Sequence, residues 1–70
     1  GYSEIKEIDT NYIYVEKNDS VGLMNYKNEP VVPLKFTSMR RTKSDALIFE
    51  TESKMAIFWM SSGKIIYKEE

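Results

Sequence analysis

Residues 45–60, DALIFETESKMAIFWM, contain two apolar runs separated by the polar segment TESK. β-Branched and aromatic side chains are frequent in both runs, and such residues are enriched in strands. A short polar segment between two runs of this kind is typical of a hairpin connection. The stretch therefore predicts an antiparallel hairpin, with strands at 45–50 and 55–60 and a turn at 51–54.

The same order of elements occurs earlier in the chain. Residues 11–15, NYIYV, read as a strand, and 21–26 read as its return strand. The intervening 16–20 is rich in Asn and Asp, which tolerate left-handed backbone and bond their own main chain. Residues 11–26 therefore predict a second hairpin, with no helix expected anywhere in the chain.

A turn and a further strand follow each hairpin. The first of these strands is Val31-Val32, flanked by Pro30 and Pro33, and the second is 65–67, preceded by a turn that contains Gly63. Because proline cannot donate to a strand ladder, we expect the Val31-Val32 strand to be short or to lie at a sheet edge.

The chain aligns with itself without a gap at an offset of 34 residues. Residue class is conserved at most apolar positions of the alignment, although only Glu16 and Glu50 are identical. The sequence predicts an all-β fold of two tandem antiparallel units of about 34 residues (1–34 and 35–68) within one domain, 1–70. Each unit would have three to four strands, and the two would form a small sandwich or an open barrel. Non-alternating apolar runs at 12–15 and 55–60 favour strands that are buried on both sides.

Composition excludes several classes of function. The chain has neither Cys nor His, so it lacks disulfides and the commonest transition-metal ligands and general base. A net charge of −1 is unlike the basic surface of a nucleic-acid binder. We expect no metal, no cofactor, no nucleic-acid partner and no enzyme activity. No signal-peptide pattern and no apolar run of about 20 residues occurs, so we expect no membrane association and favour a cytoplasmic location.

Two segments resemble the WG repeat of bacterial proteins. They are VGL with EPVVP at 21–33, and AI with GKII at 56–66, followed after the first copy by the aromatic Phe36. In that family a Trp-Gly-Leu/Ile strand leads through a polar turn and Gly-Lys to a Val/Ile pair. Here Val21 stands where the family has Trp, and the second copy reads Met55-Ala56. The resemblance implies β-rich tandem arrays and protein contacts rather than a defined reaction.

Aromatic residues are the main candidates for an interaction surface, because aromatic anchors dominate many protein interfaces. The alternative for each is core filling. If each strand is covered on one side only, either the Tyr12/Tyr14 side or the Ile13/Val15 side faces outward. By the same argument, either Trp59 or its two neighbours face outward. The candidate interaction residues are Trp59, Phe58, Tyr12, Tyr14 and Tyr26.

The one dense basic patch is a candidate anion contact, formed by Arg40, Arg41 and Lys43. No Gly-rich phosphate loop accompanies it, and a solvated connection between the two units is the alternative interpretation. Glu16 and Glu50 occupy equivalent positions and are expected to face solvent rather than to act as a catalytic pair.

These observations predict a non-catalytic module for protein–protein interaction or self-assembly, acting as a homo-oligomer or as part of a longer repeat array. Seventy residues without a disulfide or a metal bury a limited core, which favours association with another surface. The alternative is a small ligand- or nucleotide-binding β domain, such as a viral or bacterial regulator. A basic cluster over an aromatic pocket would favour this alternative. An inert spacer between other domains is a third possibility.

Overall fold

The computed structural model describes residues 1–69, which form eight strands in two sheets. The strands are β1 (Glu4–Glu7), β2 (Tyr12–Lys17), β3 (Ser20–Asn25), β4 (Pro30–Phe36), β5 (Ser38–Arg41), β6 (Ala46–Glu50), β7 (Lys54–Trp59) and β8 (Ile65–Glu69). Strands β1–β4 form sheet 1 and β5–β8 form sheet 2, each antiparallel and in sequence order. Between residues 1 and 69 there is no helix, and hence no helical membrane span. The predicted all-β fold class is confirmed, as a small sandwich rather than a closed barrel.

The two units share one pairing register. Glu16 lies opposite Val21 in sheet 1, and Glu50 lies opposite Met55 in sheet 2, at the 34-residue offset. The predicted equivalence of hairpins 11–26 and 45–60 is confirmed, with Asn18-Asp19 and Glu52-Ser53 at the two turns.

The two hairpin turns reach the same position by different local chemistry. Asn18 and Asp19 both have positive φ, at 51° and 64°, as the tight two-residue turn between twisted strands requires. In the second unit, the Thr51 hydroxyl instead accepts hydrogen bonds from the backbone N–H groups of Ser53 and Lys54. Residue class at the turn is therefore free to differ while the register of the strands is kept.

Strand β4 differs from the prediction in length but not in position. It extends over Pro30–Phe36, so the expectation of a short strand at Val31-Val32 was wrong, whereas its place at the edge of sheet 1 is as expected. The strand tolerates its prolines because its pairing with β3 is irregular, with register shifts on both sides of the Leu23–Val32 pair. After Phe36 only Thr37 separates β4 from β5, so the chain passes directly from sheet 1 to sheet 2.

The core lies between the two sheets, and we call the facing surfaces inner and the others outer. Paired residues on neighbouring strands point to the same face, so the register assigns each side chain to one face. The rings of Phe36 and Phe49 lie 6.0 Å apart across the interface, and those of Tyr12 and Phe58 meet edge to face at 5.0 Å. The buried core residues are Val21, Leu23, Val32 and Phe36 from sheet 1, and Leu47, Phe49, Ala56 and Phe58 from sheet 2.

Within residues 1–69, strand 55–60 is buried on one side only, so the expected cover of its second side is not supplied by the other unit. Burial alternates along β7: Ala56 and Phe58 are 0% and 1% exposed, whereas Met55, Ile57 and Trp59 are only partly buried. The alternation arises because sheet 1 covers one face of sheet 2, and the other face is not covered by a second sheet within residues 1–69.

Candidate interaction face

The outer face of sheet 2 carries a continuous apolar surface. Ile57 lies at its centre, directly opposite Ile48 on one side and Ile66 on the other. Trp59 continues the face at the end of β7, opposite Ala46. None of these side chains belongs to the core cluster. The apolar residues of this outer face are Ile48, Met55, Ile57, Trp59 and Ile66, which are partly or largely exposed, and Ala46, which is only 7% exposed.

Charged side chains of both signs surround this surface. The guanidinium Nε of Arg40, which lies opposite Ile48, is 2.9 Å from a carboxylate oxygen of Glu50. Lys68, on edge strand β8, lies opposite Met55 on the same face. An apolar centre with a polar rim is the usual arrangement of a protein interface.

The end of the hairpin beside Trp59 is held by backbone and carboxylate hydrogen bonds. The Trp59 N–H donates to the carbonyl of Lys64 at 2.9 Å. The Asp45 carboxylate accepts from the Ser61 hydroxyl and backbone N–H, and these bonds lower the pKa of that carboxyl. Gly63 closes the turn with a φ of 74°, a conformation that glycine adopts without steric cost. The backbone that carries Trp59 is therefore fixed on both sides.

The structure separates the five aromatic candidates. Trp59 lies on the outer face, whereas Phe58 is in the core, in contact with Tyr12. Tyr12 and Tyr14 are both on the inner face of sheet 1 and partly buried against the core. Tyr26 is 51% exposed in the turn after β3, away from the outer face of sheet 2. Of the five, Trp59 alone belongs to the apolar outer face.

Sequence reasoning missed the aliphatic residues that accompany Trp59. Ile48, Ile57 and Ile66 were assigned to strands without a face. The period of two along β7 places Ile57 on the same side as Trp59, and the hairpin register adds the two cross-strand partners. The alignment of the two units could have identified these cross-strand partners, because it fixes the pairing register of each hairpin.

The three basic candidates do not converge on one site. The side chains of Arg40 and Arg41 point to opposite faces of β5, since successive residues of a strand alternate. Arg40 binds Glu50, and Arg41 Nη1 donates to the carbonyl of Ile8 at 3.3 Å. Lys43 is exposed in the connection between β5 and β6.

A groove of about 410 Å³ opens at one end of the sandwich. Tyr12 and Tyr26 contribute aromatic surface to it, and Lys27 and Glu29 contribute one charge of each sign. None of the three basic candidates lines the groove, so the basic residues and the aromatic pocket are separate features of this molecule.

Tyr14, on the inner face of sheet 1, has a raised pKa. Its hydroxyl donates to Glu16 Oε1 at 3.1 Å. Burial, this hydrogen bond, and the negative charges of Glu16 and Glu4 raise the pKa of Tyr14 from its ordinary value of 10.0 to about 12. The neutral phenol is therefore favoured in the folded chain.

We expect stability to fall between about pH 10 and pH 12. A folded-state pKa above the unfolded value contributes stability below the unfolded pKa, and that contribution is lost as pH rises through the folded pKa. The variant Tyr14→Phe should lack this part of the alkaline loss, and Tyr67→Phe, on exposed β8, should retain it. Urea unfolding at a series of alkaline pH values, together with tyrosinate absorbance, measures the effect. Equal alkaline losses in the wild type and Tyr14→Phe would contradict the assignment.

Comparison with family models, with curated proteins and with solved structures finds no match for this chain. Within residues 1–69, no three acidic side chains are grouped so that they could hold a metal ion.

Proposed function

We propose that the chain is a non-catalytic protein-interaction module that self-assembles through the outer face of sheet 2. The observation that carries the proposal is the apolar centre of this face, formed by Ile48, Ile57 and Ile66 with Trp59 beside them. None of these residues belongs to the core cluster that residues 1–69 form, or to the side chains packed against it. Single exposed apolar residues are ordinary, whereas contiguous patches rimmed by polar groups mark interaction sites.

The energetics favour covering this face. Burial of apolar surface is worth about 25 cal/mol per Å², and a small domain without disulfides gains from any additional burial. The rim carries both Arg40 and Glu50, and the net charge of the chain is −1, so two copies do not repel each other strongly. The resemblance to the WG repeat, which implies protein contacts, points in the same direction.

The ligand-binding alternative has less support. It required a basic cluster over an aromatic pocket, and Arg40 and Arg41 are instead engaged with Glu50 and with the Ile8 carbonyl. The groove beside Tyr12 and Tyr26 has no excess of positive charge among its lining residues.

The test is the effect of Ile57→Glu on self-association, measured by sedimentation equilibrium. Ile57 is at the centre of the face, so a buried carboxylate there should weaken association at least about tenfold, which corresponds to about 1.4 kcal/mol. The control Tyr26→Glu changes an exposed aromatic elsewhere and should leave association unchanged. A wild-type chain that remains monomeric at about 1 mM would contradict self-assembly.

A further inference from the structure

The two units pack on each other through non-equivalent faces. Leu23 is on the inner face of sheet 1, yet its equivalent at the 34-residue offset, Ile57, is on the outer face of sheet 2. Conversely, Phe58 is on the inner face of sheet 2, and its equivalent Met24 is on the outer face of sheet 1. Each unit has two faces, which we name by their residues. Face A is the surface that carries Tyr12, Tyr14, Val21, Leu23 and Val32 in sheet 1, and the equivalent surface of sheet 2. Face B is the surface that carries Met39, Leu47, Phe49, Ala56 and Phe58 in sheet 2, and the equivalent surface of sheet 1.

The core is therefore an interface between face A of one unit and face B of the next. An interface between different surfaces of similar units is heterologous, and such contacts continue to a further unit unless something closes them. Stacked repeat units bury their surfaces in this way, each contacting only its neighbours. The stack in this chain has a direction, from sheet 1 to sheet 2.

The first end of the stack is partly closed by its own chain. On the outer side of sheet 1, the irregular strand β4 passes over Gly22, where an added Cβ would lie 2.7 Å from the carbonyl oxygen of Val32. Val15, which lies opposite Gly22, is only 2% exposed although it is outside the core cluster. Atypical terminal units of this kind cap repeat stacks.

Within residues 1–69, no irregular strand crosses the other end, face A of sheet 2, although Ala46 on this face is only 7% exposed. Strand β7 pairs with β8 without a register shift, and Ile66 on the outer side is 38% exposed. We infer that face A of sheet 2 is the docking surface for a third unit of this same type, which presents its face B. This inference rests on the proposed interaction function and specifies the partner and its orientation.

The core supplies the template for the proposed contact. In sheet 1, face A offers Leu23 and Val32 to face B of the next unit, and in sheet 2 the equivalent residues are Ile57 and Ile66. The aliphatic character of these positions is conserved between the two units. Trp59 stands where sheet 1 has Asn25, so the open face also carries aromatic surface that the internal one lacks at this position.

An extended chain tests the inference directly. Residues 37–70 are appended after Glu70, which is equivalent to Phe36 at the 34-residue offset, so the repeat period continues without a gap. The tryptophan of the appended copy is changed to phenylalanine, which keeps Trp59 as the sole tryptophan. We expect quenching of Trp59 fluorescence by acrylamide to fall severalfold, and the urea midpoint of unfolding to rise.

The control is the same extension with Leu47→Glu in the appended copy only, which places a charge at the centre of its face B. This chain should show neither protection of Trp59 nor a higher midpoint. An appended segment that leaves Trp59 as accessible as in the 70-residue chain would overturn the inference.

Failure of the inference is distinguishable from failure of the proposed function. If the 70-residue chain self-associates and Ile57→Glu abolishes this, while the extension leaves Trp59 unprotected, self-assembly stands and docking of a third unit is wrong. If the 70-residue chain is monomeric and the extension protects Trp59, the inferred docking stands and self-assembly is wrong.

Discussion

Replacing Phe49 by alanine is expected to leave most of the chain unfolded at room temperature. Phe49 is 0% exposed, and its ring contacts that of Phe36 across the two sheets. Truncation of a buried phenylalanine costs about 3–5 kcal/mol, from lost burial and from the cavity that remains. A core of this size rarely supplies more than about 3–5 kcal/mol in total. Urea unfolding followed by far-ultraviolet circular dichroism would show a transition shifted to low denaturant or already completed without it.

The matched control is Tyr67→Ala, an aromatic truncation on the same sheet. Tyr67 is 57% exposed on edge strand β8, so its removal should change the free energy of unfolding by no more than about 0.5 kcal/mol. Similar midpoints for Phe49→Ala and the wild type would mean that the contact between the sheets does not carry the stability of the fold.

The hairpins could be predicted from the sequence because their signals are local. Apolar runs of strand length, with Asn18-Asp19 between one pair and the TESK segment between the other, determine both the strands and their register. The 34-residue offset then carries the register from one unit to the other. The observed strand bounds lie within two residues of the predicted ones in the first hairpin and within one residue in the second.

The faces of the strands could not be predicted, because every residue from 55 to 60 is apolar. Alternation gives no direction when both alternate sets are apolar, so packing between the sheets decides which set is buried. That packing places Phe58 inside and Trp59 outside. The same ambiguity explains why Trp59 could be proposed for the candidate site from sequence while Ile48 and Ile57 were missed.

The length of β4 depends on a non-local feature. Pro30 and Pro33 read as boundaries because proline interrupts regular pairing, yet the strand continues beyond both to Phe36. The register shifts against β3 accommodate them, and Gly22 provides the space into which the irregular strand moves. Strand length here follows from the pairing partner rather than from the composition of the strand itself.

Substitution of Gly22 by alanine is expected to be the second most damaging change. The added Cβ would lie 2.7 Å from the carbonyl oxygen of Val32 and 3.2 Å from backbone atoms of Pro33 and Leu34. These are backbone atoms, so relief requires β4 to move away from β3 rather than a side chain to rotate. Overpacking of this kind costs about 1–3 kcal/mol. The urea midpoint should fall, and amide hydrogen exchange should accelerate first in β4.

The control for Gly22→Ala is Gly1→Ala, where an added Cβ meets no atom within 4 Å, and the midpoint should not change. Ala56, the equivalent residue in sheet 2, shows that a methyl group is compatible with this position when the neighbouring strand pairs regularly. The expected damage at Gly22 is therefore a property of the irregular β4, not of the repeat position. If Gly22→Ala retains wild-type stability, β4 does not hold the outer side of sheet 1 closed. Sheet 1 would then be open to a further unit in the same way as sheet 2, and the stack would lose the capped end from which its direction was inferred.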